Sequence, residues 1–462
     1  MGKLKITLED LFNLPSAVIY NPDGFKPISK VEIDSRKVKK GCLFVAIKGE
    51  KFDGHDFVLT SVQNGAQAVV VNKKKMKKFD SLDVTLIAVD DTTTAFGDIA
   101  NIWRKKLKAK VVSITGSNGK TTTKEMVSTL LAEKYNVVKT LANNNNHIGV
   151  PLTILSADGK CDVIVLEQGT NHFGEIAYSS KISQPDFALM TNVGDSHLEF
   201  LKNREGVYKE KSALFTETEK NGGIVLVNAD DSIINGNAKN FKNKLSFGFN
   251  GKADVNGKIL GYTDDGRTKV QITSGKNQFE ATLPVYGEAN AKNFLAAATV
   301  ALKLGLTKKQ ILNGVKKFAP VHGRIEVKKF KNAVVIDDTY NASPASVKSA
   351  VETINKIKTY KSKIVVLGDI FELGNQSVKI HKELEKVFKP AKNLVVLTVG
   401  TMMQHLVKEL RKKKIRSIHF FLREALSLYL QYEEIENAVI LVKGSRGMKM
   451  EEFVNILEKR FE

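Results

Sequence analysis

Apolar residues in this chain form short, nearly continuous runs that alternate with longer amphipathic stretches. In the middle of the chain the runs lie at residues 111–116, 162–169, 186–194 and 223–230. Such runs, with little polar alternation, are typical of strands that are buried on both faces of a parallel sheet. The stretches between them predict helices, so the pattern as a whole predicts an α/β fold.

The alternation begins again in the last third of the chain. The predicted strands there lie at residues 333–338, 363–370, 393–400, 417–422 and 438–445. We therefore predict a Rossmann-like, doubly wound C-terminal domain that binds ligands at the carboxyl ends of its strands. Near the start of the chain the pattern is less regular, with strands predicted at 43–49 and 66–72 and a helix at 94–110.

A chain of 462 residues is expected to hold about two to four domains. We predict three, with a β-rich patch at residues 245–285 inside the second. They are a small mixed α/β N-terminal domain (1–108), a central P-loop-type ATPase domain with a parallel sheet (109–320) and the doubly wound domain (321–462).

The turn after the first central strand gives the clearest chemical signal. Its glycines allow backbone N–H groups to approach an anion, and the start of the following helix adds partial positive charge. Lys120 can reach the outer phosphates of a nucleotide, and Thr121 can bind the accompanying Mg²⁺. The turn is shorter than a usual P-loop, because Ile114 stands where the first glycine is expected. We predict phosphate binding by Thr115, Gly116, Ser117, Asn118, Gly119, Lys120, Thr121 and Thr122.

Four further polar features lie in the central region. Glu167 ends a predicted strand, His197 follows the next one, Lys211 lies in a predicted helix, and residues 143–147 form an asparagine-rich turn. Each feature alone is also compatible with an ordinary surface or loop position. Glu167 and His197, however, end strands of the sheet that carries the phosphate turn, so they can converge on the phosphates. Glutamate oxygens suit Mg²⁺, whereas imidazole is a less usual ligand.

Together these motifs resemble the Mur ligases, ATP-dependent amide ligases that extend the stem peptide of peptidoglycan. The resemblance covers essentially the whole chain and includes the short phosphate turn, Glu167 and the Thr-Asn-x-Gly-x-x-His motif at 191–197. The paired asparagines of a family helix match Asn290 and Asn293, although Ala289 stands where the family usually has histidine. The substrate loop of the family matches Thr140, Asn143, Asn145, Asn146, Ile148, Gly149 and Pro151.

The resemblance implies ATP and two Mg²⁺ ions as cofactors. It implies one ion at Thr121 and Glu167 and a second at His197 and a carbamylated Lys211. The catalytic residues that it implies are Lys120, Lys211, His197 and Arg324. It adds Arg324, Asp338, Tyr340, Asn341, Asn290 and Asn293 to the ATP site. The substrate-binding residues that it implies are Ser35, Arg36, Asn145, Asn146, His147, Lys443, Ser445 and Arg446.

Within the family, the C-terminal third is similar to the branch that adds D-alanyl-D-alanine. The similar segments are Gly323-Arg324, 338–344, 368–374 and 443–446. The implied reaction joins D-Ala-D-Ala to UDP-N-acetylmuramoyl-tripeptide through an acyl phosphate and gives the UDP-MurNAc-pentapeptide. The alternative is another ligase of this family with a different amino donor, because the C-terminal domain selects the donor.

The formal net charge of +21 and the lysine-rich run at 73–78 raise a second alternative, a nucleotide-dependent nucleic-acid-binding protein. Lysine is scattered over nearly every predicted helix, and no basic stretch is interleaved with aromatic residues. We therefore predict a solvated basic surface that attracts small anionic substrates, and no nucleic-acid partner.

The sequence also bears on compartment. The apolar runs are too short for a transmembrane span, and the first residues lack the apolar core of a signal peptide. Cys42 and Cys161 lie in strand-like surroundings typical of buried thiols in a reducing compartment. We predict a cytoplasmic, monomeric enzyme that acts on small-molecule substrates and has no membrane span.

Overall fold

The computed structural model describes residues 4–462, so the first three residues of the predicted N-terminal domain lie outside the described part. Three sheets of five, nine and six strands follow one another along the chain. This arrangement confirms the predicted α/β class and the three-part architecture. In the described part no helix is both long enough and apolar enough to cross a membrane.

The first sheet has the strand order β1-β5-β4-β3-β2. Strand β1 is antiparallel to β5, and the other pairs are parallel. Its elements are α1 (Leu8–Phe12), β1 (Val18–Tyr20), β2 (Lys30–Glu32), β3 (Cys42–Val45), α2 (Val58–Gln63), β4 (Ala66–Asn72), β5 (Thr85–Val89) and α3 (Thr92–Lys106). Short 3₁₀ turns lie at Ser35–Lys37, Gly54–Phe57 and Lys73–Lys78.

The second sheet has the order β14-β13-β12-β11-β10-β9-β6-β8-β7. Its first half comprises β6 (Lys110–Thr115), α4 (Lys120–Leu131), β7 (Val137–Lys139), α5 (Gly149–Ser156), β8 (Val163–Glu167), α6 (Glu175–Ser183), β9 (Phe187–Met190), α7 (Leu198–Leu201) and α8 (Arg204–Lys220). Its second half comprises β10 (Ile224–Asn228), α9 (Ser232–Gly236), β11 (Lys244–Gly248), β12 (Val255–Tyr262), β13 (Arg267–Ser274), β14 (Asn277–Tyr286), α10 (Glu288–Lys303) and α11 (Lys308–Lys317).

The predicted β-rich patch is the continuation of this second sheet. Strand β12 pairs in parallel with β11, and β13 and β14 then extend the sheet by antiparallel pairing. The burial of β14 alternates along the strand, as expected for strands with one solvated face. Helices α4 and α10 pack against one face of the sheet, where Val127 and Phe294 share a core with apolar residues of β12, β13 and β14.

The third sheet has the order β15-β16-β20-β17-β18-β19 and is parallel except for the edge strand β15. Val334 and Ile336 enter the core on one face, and Val335 enters a second core on the other, which confirms the doubly wound prediction. The elements are β15 (Glu326–Lys329), β16 (Ala333–Asp338), α12 (Pro344–Lys356), β17 (Ser362–Gly368), α13 (Ser377–Glu383), β18 (Leu394–Val399), α14 (Met403–Lys412), β19 (Ser417–Phe420), α15 (Arg423–Tyr432), β20 (Ala438–Lys443) and α16 (Glu451–Phe461).

Helix α3 joins the first and second sheets. Its buried side chains belong to one apolar core that continues through β6 and α5 into the second sheet. Trp103 donates its Nε1–H to the carbonyl of Ala157 at 2.8 Å, and Arg104 contacts Asp186 at 3.0 Å. The predicted boundaries between residues 108 and 109 and between 320 and 321 fall between sheets and stay a prediction. The shared core shows that α3 packs with both neighbours.

The second and third sheets meet through polar contacts. Lys329 lies 3.1 Å from Asp265, and Thr359 donates its hydroxyl to the carbonyl of Asp264 at 3.0 Å. Lys356 lies 3.9 Å from Glu288 at the start of α10. These exposed ion pairs stabilise the contact only weakly, because water and salt screen them.

The junction at α3 can be tested with Trp103→Phe. We expect the free energy of unfolding to fall by about 1–2 kcal/mol, because the change removes a buried hydrogen bond and leaves the Ala157 carbonyl without a donor. Urea unfolding followed by far-UV circular dichroism measures the effect. Lys105→Ala, which changes an exposed residue of the same helix, serves as the control and should leave the urea midpoint of unfolding unchanged. Equal midpoints for the two variants would contradict a shared core at α3.

Candidate active site

The phosphate turn links β6 to α4 and contains two glycines that no other residue can replace without strain. Gly116 and Gly119 have φ angles of +143° and +80°, in the region that L side chains rarely adopt. A Cβ atom on Gly116 would lie 1.9 Å from the hydroxyl of Thr191, and one on Gly119 would lie 2.5 Å from Oδ1 of Asn293. Thr191 donates its hydroxyl to the Asn118 carbonyl at 2.6 Å. The glycines thus allow β9 and α10 to pack directly on the turn.

Lys120 is the first residue of α4 and folds back over the turn. Its Nζ donates to the carbonyl of Gly116 at 2.8 Å. Burial lowers the pKa of Lys120, and the positive charge of Arg324 lowers it further, while Glu167 opposes the shift. Thr115, Thr121 and Thr122 are all buried around it. The ammonium group therefore lies inside the concave side of the turn, where an anion would approach.

Glu167 is the last residue of β8, the neighbour of β6 in the sheet. The carboxylate is almost fully buried, at 2% exposure. Its Oε1 accepts a hydrogen bond from Asn145 Nδ2 at 2.9 Å, and its Oε2 has no partner. Asn145, which was expected to bind substrate, thus holds Glu167 in this structure. A buried carboxylate oxygen without a donor is costly and fits a bound cation.

Lys211 lies in α8 with its side chain fully buried, and its Nζ has no hydrogen-bond partner. The adjacent Glu210 does not pair with it, because it accepts hydrogen bonds from Thr170, Gly174 and Ile176 at 3.1, 2.7 and 2.8 Å. Burial lowers the pKa of Lys211 well below its usual value, and the charge of Lys120 lowers it further. The surroundings of Lys211 therefore favour the neutral form of its amine.

His197 lies farther from its strand than the sequence suggested. Strand β9 ends at Met190, and six loop residues separate it from His197, which has a φ of +52°. Its Nδ1 lies 2.8 Å from Oε2 of Glu372 without the alignment of a hydrogen bond. The loop rather than the strand end therefore positions this imidazole.

The C-terminal domain reaches the phosphate turn through two direct contacts. Arg324 donates from Nη2 to the Thr121 hydroxyl at 3.0 Å, and Ser343 donates its hydroxyl to Asn118 Oδ1 at 2.9 Å. The guanidinium of Arg324 stacks on the Tyr340 ring, with Cζ 4.0 Å from its centre. The structure thus brings Arg324 and the predicted 338–344 loop to the turn.

Three predicted substrate residues of the C-terminal domain have different surroundings. Lys443 is buried, with Nζ 2.6 Å from Asp338 Oδ2 and 2.9 Å from the Asn341 carbonyl. Ser445 is also buried and accepts a hydrogen bond from the backbone of Phe371 at 2.8 Å. Arg446 is exposed, with its Cζ 5.9 Å from the centre of the Tyr340 ring. Lys443 and Ser445 therefore brace the loops, whereas the exposed Arg446 forms an ion pair with Glu451 at 3.4 Å.

The remaining predicted residues divide between two regions. Ser35 and Arg36 lie at the 3₁₀ turn of the N-terminal domain, where Arg36 pairs with Asp34 at 2.8 Å. No hydrogen bond or ion pair within the described part joins them to the phosphate turn. Asn146 caps the start of α5 by accepting the Gly149 N–H at 2.9 Å, and His147 beside it is exposed.

A cleft of about 220 Å³ opens beside the phosphate turn. Asn293 lines it, whereas Asn290 is buried and donates to the Tyr286 carbonyl at 2.9 Å. Asn192, from the motif at 191–197, also lines it, and the polar lining residues that the sequence analysis missed are Asn228, Asp230, Asp231 and Lys292. The polar cluster 228–231 directly follows β10, so the rule that ligands bind at strand carboxyl ends would have found it.

Lys124 is a further residue that the sequence analysis missed. It is fully buried in α4, and its Nζ donates to the Thr140 carbonyl at 2.7 Å and lies 2.9 Å from Oε1 of Glu125. The hydroxyl of Thr140 in turn accepts the backbone N–H of Glu167 at 3.0 Å. Lys124 thus ties the helix of the phosphate turn to the strand end that carries Glu167.

Comparison with known proteins gives three family matches in chain order. Residues 27–104 match the model described as "Mur ligase family, catalytic domain". Residues 114–301 match "Mur ligase middle domain", and residues 323–446 match "Mur ligase, glutamate ligase domain".

Curated relatives match over nearly their whole length. A UDP-N-acetylmuramoyl-tripeptide–D-alanyl-D-alanine ligase of Bacillus subtilis is 33% identical, covering 98% of both chains. The ligase of that name from Escherichia coli is 33% identical, covering 99% of both. Among solved structures, MurF from Acinetobacter baumannii has a TM-score of 0.88 at 29% identity, covering 99% of this chain and 100% of that one. MurF from Thermotoga maritima in complex with ADP has a TM-score of 0.83 at 29% identity, covering 94% and 97%.

The unpartnered amine of Lys211 predicts an unusual pH dependence of stability. Its pKa is lower in the folded than in the unfolded chain, so between the two values the unfolded chain binds more protons and stability rises with pH. In CO₂-free buffer at about pH 7, we expect Lys211→Met to raise the free energy of unfolding by about 1–3 kcal/mol and to flatten this rise.

Urea unfolding of both proteins across a pH series measures the effect. Lys220→Met, at the exposed end of the same helix, is the control and should keep the pH dependence of the parent protein. A destabilised Lys211→Met variant with an unchanged pH profile would show that the amine is charged and partnered in solution.

Proposed function

The chain belongs to the Mur ligase family, and we propose that it joins D-alanyl-D-alanine to UDP-N-acetylmuramoyl-tripeptide with hydrolysis of ATP to ADP and phosphate. Relatives that carry out this ligation, as their names state, align with the chain from end to end. The observation that carries the proposal is the convergence of Lys120, Glu167 and Arg324 at one turn between two domains. The donor is the finer part of the proposal, because the C-terminal domain selects it.

The chemistry must overcome a charge problem. A carboxylate of the tripeptide attacks the γ-phosphorus of ATP, so an O–P bond forms and ADP leaves. The amine of the dipeptide then attacks the carbonyl carbon of this acyl phosphate, loses a proton, and displaces inorganic phosphate through a tetrahedral intermediate. The first step brings two anions into contact, so the site must supply positive charge.

Lys120 and Arg324 are the side chains that supply this charge. Lys120 lies on the concave side of the turn and needs only to exchange the Gly116 carbonyl for a phosphate oxygen. Arg324 approaches from the other domain and is preorganised by stacking on Tyr340. We propose that the domain contact through Arg324 excludes water, which would otherwise hydrolyse the acyl phosphate.

The residues present fit two Mg²⁺ ions. Thr121 and Glu167 would hold the first, and the unpartnered Oε2 of Glu167 supports that role. His197 and Lys211 would hold the second once Lys211 is carbamylated. When bound, the ions neutralise phosphate charge. The buried, unpartnered amine of Lys211 supports carbamylation. In that reaction the neutral nitrogen forms an N–C bond with CO₂ and releases one proton, and the resulting carbamate offers oxygen ligands.

The remaining assignments complete the proposal. The cleft beside the turn would take the nucleoside of ATP against Asn293, with Asp338, Tyr340 and Asn341 near the phosphates. Ser35 and Arg36 would bind the UDP end of the substrate, and Asn145, Asn146, His147 and Arg446 its peptide end. Lys443 and Ser445 would shape that site from beneath. We propose that the enzyme acts as a monomer in the cytoplasm. Its two buried free thiols support the reducing compartment.

The test is phosphate release from ATP with UDP-MurNAc-tripeptide, with and without D-Ala-D-Ala, in Mg²⁺ and bicarbonate. We expect release only when both substrates are present, together with a pentapeptide product detected by mass spectrometry. Lys120→Met should reduce turnover by about 10²-fold or more, because it removes a preorganised cation. Lys303→Met, an exposed lysine on α10, is the matched control.

Two other results would change the conclusion. Release that requires the muramoyl nucleotide but accepts only a different amine would keep the family and replace the donor. No release with any muramoyl nucleotide would overturn the proposal, and salt-dependent nucleic-acid binding would then be measured.

The Lys124 contact gives a separate prediction. We expect Lys124→Met to raise the Mg²⁺ concentration for half-maximal turnover by about 10–100-fold, because outer partners orient metal ligands. Turnover at saturating Mg²⁺ should change less than the Mg²⁺ requirement. Titration of Mg²⁺ in the phosphate-release assay measures this, and Lys303→Met is again the control. A loss of turnover with no change in Mg²⁺ requirement would contradict a link through Thr140 to Glu167.

A further inference from the structure

Three potential metal ligands lie together outside the proposed active site. They are His322, in the turn that leads into the C-terminal domain, Glu326 at the start of β15, and Asp337 in β16. One ligand atom from each side chain lies within 4.8 Å of the others. Within the described residues, no other group of this kind meets that limit.

The fold brings these side chains together by strand pairing. Glu326 and Asp337 are directly opposite each other in the antiparallel pair β15–β16, so their side chains share one face of the sheet. The turn then places His322 Nδ1 2.8 Å from Oε2 of Glu326. Cis ligands of a metal with bonds of about 2.0–2.2 Å are roughly 3 Å apart, so this spacing suits a shared ion.

Asp337 provides a second, independent observation. Its side chain is only 1% exposed. Oδ1 accepts both hydrogen bonds that the carboxylate receives, from the backbone and hydroxyl of Thr339. Oδ2 is buried and has no partner. Two neighbouring carboxylates, one of them with an unsatisfied buried oxygen, require a positive partner.

The nearby lysine does not fill that role. Lys328 is attracted by Glu326 and Asp337, but its ammonium contacts Glu458.

We propose that His322, Glu326 and Asp337 bind a divalent transition-metal ion, with Zn²⁺ or Mn²⁺ as the fitting class. One imidazole and two carboxylates suit these ions, whereas Mg²⁺ favours oxygen ligands alone. The site is separate from the phosphate turn and does not depend on the proposed reaction. It lies next to the segment that presents Arg324, because Gly323 N–H contacts Glu326 at 3.2 Å and Ile325 N–H contacts Asp338 at 3.2 Å. A bound ion would fix that turn onto β16.

The experiment is a Zn²⁺ titration of the nucleotide-free, full-length protein in excess Mg²⁺, in competition with a chromophoric chelator. We expect one equivalent to bind, with affinity reduced at least about tenfold in His322→Asn. His322 is exposed, so that variant should fold, and circular dichroism checks it. Asp337→Asn, which keeps the shape of the side chain, should show the same loss.

Glu434→Gln is the control, since it changes an exposed carboxylate of the same domain that contacts neither the three ligands nor Lys328. It should bind Zn²⁺ like the parent protein. A thermal shift on adding Zn²⁺, present in the parent and absent in His322→Asn, gives a second readout. Equal Zn²⁺ affinity in the parent protein and His322→Asn, or no binding to either, would overturn the proposal.

Discussion

The phosphate turn tolerates no side chain at two of its positions, and the architecture around it depends on that constraint. The space beside Gly116 is occupied by Thr191, and the space beside Gly119 by Asn293, so the loop after β9 and helix α10 lie against the turn. Arg324 and Ser343 reach the same turn from the C-terminal domain. A side chain at either glycine would therefore displace several elements at once, including those that carry the proposed nucleotide and metal ligands.

The sequence predicted the repetitive part of the fold well, because strands buried on both faces must be apolar throughout. Residues 333–338 were predicted as a strand and form β16 with the same limits. The short edge strands β1, β2, β7 and β15 were missed, since a strand with few neighbours needs only a few apolar residues. The β-rich patch was found, but the parallel pairing of its first strand, β11, with β10 and β12 depends on contacts that local patterns do not record.

The site residues were predictable from the sequence where a motif fixes the backbone geometry. They were less predictable where their role depends on which side chains they contact in the folded protein. Lys124 looks like any helical lysine in the sequence, and only the packing of α4 shows that it is buried. Asn145, predicted to bind substrate, also donates a hydrogen bond to Glu167, a contact that the sequence did not indicate. The lysine run at 73–78 looks strongly basic in the sequence. In the structure, Lys73 contacts Asp90 and Lys75 contacts Asp53, so acidic side chains neutralise part of its charge. Such pairings arise between distant residues and leave no local signature.

The two boundaries around the central sheet differ in kind. An apolar core continues from the central domain through α3 into the N-terminal domain. Separating these two domains would expose a large apolar surface to water. The C-terminal domain instead meets the central one through ion pairs such as Lys329–Asp265, whose charges water solvates readily. The N-terminal and central domains therefore share an apolar core, whereas the C-terminal domain is held to the central one by hydrogen bonds and ion pairs. Exchange of these polar contacts for hydration would cost little free energy, so that a product could leave by separation of the two domains without unfolding either of them.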